Sequence, residues 1–257
     1  EGVKSVTITD KSLEDYLGPK KYKPEGLRAK DEIGIARGLA WTSVGGDILD
    51  VEVNVMEGSG RLELTGNLGE VMKESVHAGM TYIRSRADKL PVEPNFYKTK
   101  DIHVHFPEGA VPKDGPSAGI TVTLAMISAL TGAPVRRDIA MTGEITLRGR
   151  ILPIGGLKEK TMAALRSGVK TVIIPAENES DLSEIDPIVR NALNFISTDH
   201  VDKVLDFALD FSAPSVKKKD IPTVVDTQQL FTDQKPQQES DKNNTQPTAI
   251  SCNGCLQ

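Results

Sequence analysis

The chain has 257 residues, enough for one good-sized domain with a substantial core plus extensions. Its net charge of -5 argues against a nucleic-acid-binding surface as its main purpose. Only two cysteines occur, Cys252 and Cys255, so the body holds no disulfide and no cysteine nucleophile, which fits a reducing, cytoplasmic setting.

No apolar run approaches the length that spans a bilayer, and the start carries no signal-peptide pattern. The first residue is Glu1 rather than Met, so a piece of a longer chain is expected. Residues 2–22 contain a strand-like VTIT, then Asp10 as N-cap of a short helix, SLEDYLG, ended by Gly18 and Pro19. Residues 20–30 (KKYKPEGLRAK) are charged and contain Gly and Pro, a linker by composition. The domain proper begins near residue 33 with GLAWT, a turn at Gly45 and Gly46, then the alternating strand ILDVEVNV. Ile48, Val51, Val53 and Val55 fall mostly on one side of it and Glu52 on the other, where it reads as a solvent-facing residue. Residues 61–65 form a second short strand, and a hairpin with the preceding one is expected. Residues 68–90 make an amphipathic helix, with Val71, Met72, Val76, Gly79, Met80 and Ile83 at helical spacing and Pro91 as its stop. His77 reads as a surface or packing residue of that helix.

Residues 101–106 (DIHVHF) alternate polar and apolar, the period of a strand with one buried face. His103 and His105 point to one side of it. They could bind a metal or serve as a base, although no third ligand is visible nearby and packing is the simpler reading. Next comes PKDGPSAG, residues 112–119, followed by an uncharged run over 120–130 that ends at Gly132. That run predicts a buried helix with a C-terminal glycine, although its Thr and Val content leaves a strand possible. Gly115 and Pro116 suit a tight turn, because proline is tolerated where a helix has no partner for its N–H. Ser117 therefore falls in a first helical turn, where unpaired N–H groups favour negative charge. The N–H groups of Ser117 and Ala118 are candidates for an oxyanion hole, and the plain alternative is a first-turn serine that does nothing else. An Asp114 N-cap would accept the Ser117 N–H, the same donor. The loop would then have two states, with Asp114 in the site or turned away; otherwise Asp114 only shapes the turn.

Residues 139–142 (IAMT) read as a buried strand, followed by a Gly143 turn into EITLRGRILPI. Strand-like ILPI, a Gly155-Gly156 turn and a helix through about Ser167 come next. Two lysines, Lys158 and Lys160, lie in its first turn, where the positive end of a helix disfavours an ammonium and so favours a base. Both flank the apolar stripe of Leu157, Ala164 and Leu165, so spacing alone does not choose between them. A strand at 171–175, a helix from Asp186-Pro187, a strand at 194–197 and an amphipathic helix over 201–211 complete the body. From residue 212 on, polar residues dominate and too little apolar surface exists to offset ordering entropy, so a disordered tail is expected. Its CNGC is a lone C-x-x-C without a second ligand pair.

PKDGPSAG, MTGEITLRGRILPIGGLKEK and KTVIIPAENESDL closely resemble the proteolytic domain of bacterial-type ATP-dependent Lon proteases, over roughly residues 33–210. The resemblance implies an α+β fold with mixed sheets and packed helices. It implies three parts: 1–30, a remnant of the AAA+ helical subdomain with its linker; 31–211, the proteolytic domain; and 212–257, the tail. It makes Ser117 and Lys160 a Ser-Lys catalytic dyad, with Thr142 beside the lysine and Glu52 near the active site or subunit contacts. Peptide hydrolysis itself would need no metal and no cofactor. ATP and magnesium would act in an ATPase domain absent here, consistent with the lack of a G-x-x-x-x-G-K-[ST] loop. Implied partners are unfolded or damaged polypeptides and five further subunits in a homohexamer, with a part in protein quality control and the stress response. The rival readings are a Ser-His hydrolase using His103 or His105, and a non-enzymatic assembly module.

Overall fold

A computed structural model describes residues 5–19 and 26–213. The tail expected from residue 212, Cys252 and Cys255 included, lies outside the described residues apart from its first two positions, and so do residues 20–25 of the expected linker. The first elements are α1 (Leu13–Leu17), β1 (Ile35–Thr42), β2 (Gly45–Glu57), β3 (Leu62–Thr65) and α2 (Glu70–Ser85). After them come α3 (Phe96–Thr99), β4 (Lys100–His105), α4 (Gly119–Thr131) and β5 (Ile139–Met141). A small hairpin of β6 (Glu144–Ile145) and β7 (Ile151–Leu152) leads to α5 (Leu157–Arg166) and β8 (Thr171–Pro175). The body closes with α6 (Pro187–Ala192), β9 (Asn194–Thr198) and α7 (Val201–Ala208).

Seven strands form one mixed sheet in the order β3-β4-β2-β1-β5-β8-β9. The pairs from β1 through β9 are parallel, whereas β1–β2 and β2–β4 are antiparallel. Strand periodicity sends alternate residues to opposite faces, and each face has its own core. On one face Ala36, Val51, Ile139 and Met141 pack with residues of α2, α4 and α7. On the other, Leu39, Ala140, Val172 and Ile174 pack with residues of α5 and α6. Helix α4 is buried on nearly all sides, from Ile120 to Thr131. Its hydroxyls are satisfied within this core: Thr123 Oγ1 donates to the Gly119 carbonyl and Thr131 Oγ1 to that of Ile127, both at 2.8 Å. The Thr content that left a strand open is thus accommodated by bonding one turn back. The helix ends at Gly132, whose φ of 76° is the left-handed cap.

Several expectations need correction. Strand β3 pairs with β4 in parallel, not with β2 as a hairpin. Strand β4 runs between them, and Asp101 at its start accepts the N–H groups of Ser59 and Arg61, both at 2.8 Å, which pins the 58–61 turn to β4. The β1–β2 turn is Ser43-Val44, with Thr42 opposite Gly45, so Gly45 and Gly46 already belong to β2. Ile48 faces the α5 side, away from Val51 and Val53. The VTIT segment forms no strand, and α1 is preceded by Ser12, not Asp10, as its N-cap. Helix α2 stops at Ser85, where Tyr82 and Arg86 turn to the Asp202 carboxylate on α7. Helix α7 stops at Ala208, because Leu209 is extended and bridges to Val135. Residues 26–30 are tied to the sheet: Arg28 Nη1 donates to the Ile35 carbonyl at 2.8 Å, and Arg37 Nη1 to that of Gly26 at 3.2 Å.

Candidate active site

Ser117 sits in a single 3-10 turn, Pro116–Ala118, that runs directly into α4. Pro116 opens the turn and Gly115 precedes it at φ 114°, a conformation that glycine adopts without strain. Three residues hold the turn by its carbonyls. The Gly143 N–H donates to the Ser117 carbonyl at 2.8 Å and Thr142 Oγ1 to the same oxygen at 3.3 Å. From α2, Ser75 Oγ donates to the Pro116 carbonyl at 3.3 Å. Ala118 is buried and Ser117 half-buried.

Lys160 lies in the first turn of α5, after a Gly156 in the left-handed region. It is only 2% exposed, while Lys158 is exposed, a difference that the helical wheel left open. Burial lowers its pKa from the ordinary 10.5 to about 8. Its Nζ donates to Thr142 Oγ1 at 3.0 Å. Among the described residues, no hydrogen bond joins the Ser117 hydroxyl directly to Lys160; Thr142 links the two through the Ser117 backbone. Gly46 explains how α5 comes so close to the β1–β2 hairpin, since a Cβ there would lie 1.9 Å from the Glu159 carbonyl oxygen.

Ser117 and Lys160 line one open cavity of about 750 Å³, walled by Trp41, Met72, Val111 and Ile154. Apolar walls with a few polar groups among them are the make-up of a ligand-binding cleft. Lys113 fastens the loop on one side by donating to the Glu108 and Val111 carbonyls at 2.7 and 3.1 Å.

Asp114 also lines the cavity, but it does not cap the serine turn, whose N-cap is Gly115 without a side-chain bond. Its Oδ1 accepts from Met72 N at 3.0 Å and from Gly115 N at 2.8 Å. It therefore caps α2, which offers unpaired first-turn donors within reach of the loop. Glu52 is exposed on β2, in register with Ile35 and His105, and is not among the residues lining the cavity. His103 and His105 share Thr65 Oγ1, at 2.9 and 2.7 Å, and neither reaches the cavity. Among the described residues no group of three or more His, Cys, Asp or Glu could hold a metal, and no helix is long and apolar enough to cross a membrane. Two contacts on the serine turn were not expected from the sequence, those of the Ser75 hydroxyl and the Gly143 N–H. Ser75 carried a signal, a hydroxyl inside the apolar stripe of α2, whereas the Gly143 N–H has none, being backbone.

Residues 7–211 match the family described as Lon protease (S16) C-terminal proteolytic domain. Similar proteins include the Lon protease of Brevibacillus choshinensis, 55% identical over 206 residues, which are 80% of this chain and 26% of that protein. The Lon protease of Chloroflexus aggregans is 56% identical over 202 residues, 79% of this chain and 24% of its own. Lon protease 1 of Bacillus subtilis is 52% identical over 206 residues, 80% and 27% of the two chains. The matched stretch thus spans about a quarter of the length of these relatives.

Proposed function

The chain belongs to the family of Lon protease (S16) C-terminal proteolytic domains, and we propose that it cleaves peptide bonds with Ser117 as nucleophile and Lys160 as general base. One observation carries the assignment of the dyad: a lysine buried to 2% exposure opens on the same cavity as a serine at a helix start. Burial favours the neutral amine, which is what a base needs, and the helix start supplies N–H groups for an oxyanion.

In the proposed reaction the neutral Lys160 amine takes the Ser117 proton as Oγ attacks the substrate carbonyl carbon. The tetrahedral oxyanion is held by the first-turn N–H groups of Ser117 and Ala118. As the C–N bond breaks, the Lys160 ammonium returns its proton to the leaving amine, and an acyl-enzyme remains. Lys160 then takes a proton from water, whose oxygen attacks the ester, and returns it to Ser117 Oγ as the C–O bond breaks and the carboxylic acid product leaves and ionises. Thr142 Oγ1 holds the amine in place while its own proton goes to the Ser117 carbonyl. The missing Ser117–Lys160 hydrogen bond is expected to form only with substrate bound, as catalytic bonds often tighten on binding.

For the longer protein we infer a cytoplasmic homohexamer that degrades unfolded or damaged polypeptides in quality control. ATP and magnesium would act in a separate domain, and this chain carries no P-loop sequence. A serine-directed fluorophosphonate tests the core of the proposal. It should label the chain once, at Ser117, with no label on Ser117→Ala and much slower labelling of Lys160→Ala. Labelling at another residue, or unaltered labelling of Lys160→Ala, would overturn the dyad.

A further inference from the structure

A trans peptide is planar, with its C=O and N–H pointing in opposite directions, so whatever holds the one aims the other. Two peptide planes beside Ser117 matter in this way. The Pro116–Ser117 plane carries the Pro116 carbonyl and the Ser117 N–H. The Ser117–Ala118 plane carries the Ser117 carbonyl and the Ala118 N–H. The second plane is fixed from the end of β5, by Gly143 N–H at 2.8 Å and Thr142 Oγ1 at 3.3 Å. The first is fixed from the opposite side, by Ser75 Oγ at 3.3 Å, and within the turn by the Gly119 N–H.

Ser75 is 7% exposed, on a buried helix face that it shares with Met72, Val76, Gly79, Tyr82 and Ile83. A buried hydroxyl costs free energy unless it is hydrogen-bonded, and this one is bonded to the carbonyl just before the serine. The approach is close enough that a Cβ on Gly119 would lie 2.9 Å from Ser75 Oγ. One turn earlier on the same helix, Met72 N–H holds Asp114. Helix α2 therefore grips the serine loop at two points, and the Ser75 grip sits on the plane of the candidate oxyanion donor.

We propose that Ser75 is a positioning residue for peptide hydrolysis: its bond to the Pro116 carbonyl aims the Ser117 N–H at the place where the oxyanion forms. That role presupposes Ser117 as the nucleophile and goes beyond it, to a residue outside the motifs that carry the family resemblance. The test compares Ser75→Ala and Ser75→Thr with the unaltered chain in peptide cleavage, in affinity for a peptide aldehyde, and in Tm. The aldehyde adds to the serine hydroxyl as a tetrahedral hemiacetal, whose oxygen needs the same donors as the transition state. Ser75→Ala should lower kcat about tenfold with little change in KM, less than the roughly 10²–10³-fold cost of losing an oxyanion donor outright. Aldehyde affinity should fall by the same factor, and Ser75→Thr, which keeps the hydroxyl, should regain most of both. The proposal is overturned if Ser75→Ala keeps kcat and aldehyde affinity within about twofold of the unaltered chain. It is equally overturned if the loss shows as a raised KM with aldehyde affinity unchanged. Should Ser75→Ala fail to fold, Ser75→Cys is read by the same criteria. Failure of the dyad itself looks different, because the unaltered chain would then show no Ser117-dependent cleavage or label.

Discussion

Lys160 donates to Thr142 Oγ1 at 3.0 Å, and Thr142 stands one residue beyond the end of β5. A hydroxyl that accepts from the amine must send its own proton elsewhere, and here it goes to the Ser117 carbonyl at 3.3 Å. Thr142→Val keeps the shape and removes both bonds. It is expected to lower kcat by about ten- to a hundredfold, within the range that a positioned proton-transfer group supplies. Leaving the buried amine without this partner should also cost about 1–3 kcal/mol of stability, while the Ser117 carbonyl keeps the Gly143 N–H. Steady-state kinetics and thermal unfolding check the two losses separately; unaltered kcat with reduced Tm would make Thr142 structural only.

The pH profile follows from Lys160. As the proposed base it works when neutral, and burial lowers its pKa to about 8. At pH 7 about one molecule in ten then carries the active form, so kcat/KM should rise about tenfold per pH unit and level off above pH 8. A profile set by an imidazole, levelling off near pH 6.5, would point back to a histidine base.

Asp114 separates capping from electrostatics. Its Oδ1 serves two backbone N–H groups, Met72 and Gly115, and an asparagine oxygen can accept both. Asp114→Asn should therefore fold with stability within about 0.5 kcal/mol of the unaltered chain, whereas Asp114→Ala should lose about 1 kcal/mol. Peptidase activity should track those stabilities. A rise in activity in Asp114→Asn at unchanged Tm would restore the two-state loop, in which the carboxylate enters the site.

Gly46 is the point where the hairpin touches the lysine helix. A Cβ there meets the Glu159 carbonyl at 1.9 Å and the Lys160 N–H at 2.8 Å, both backbone atoms that no rotamer change can move aside. Gly46→Ala should push α5 outward, lowering Tm and slowing fluorophosphonate labelling at Ser117 together. Normal labelling would mean that the hairpin yields instead of the helix.

The parts of the fold that the sequence made legible are those fixed by neighbours in the chain. The uncharged run after Pro116 could only be buried, and Gly132 marked its end. Asp186 before Pro187 named its own cap, accepting from Ile188 N at 2.7 Å. What stayed hidden depends on distant partners. Nothing local to residues 62–65 says that β4 will insert beside β2, and nothing near Asp114 says that its acceptor will be claimed by Met72, 42 positions away. Gly45 and Gly46 looked like a turn because glycine usually marks one, yet Gly46 serves a close approach of two backbones. Lys158 and Lys160 are equivalent on the wheel because the inner side of α5 is set by β1 and β2, distant in sequence, against which the helix packs.

Helices α4 and α5 pack in the two separate cores, one on each side of the seven-stranded sheet. The proposed nucleophile, Ser117, and the proposed base, Lys160, therefore belong to different layers, linked through Thr142 just past the end of β5. Twisting the sheet or sliding one layer over the other changes their separation without breaking either core. A neighbour that pressed on α5 alone would have mechanical leverage on the reaction while touching neither reacting atom.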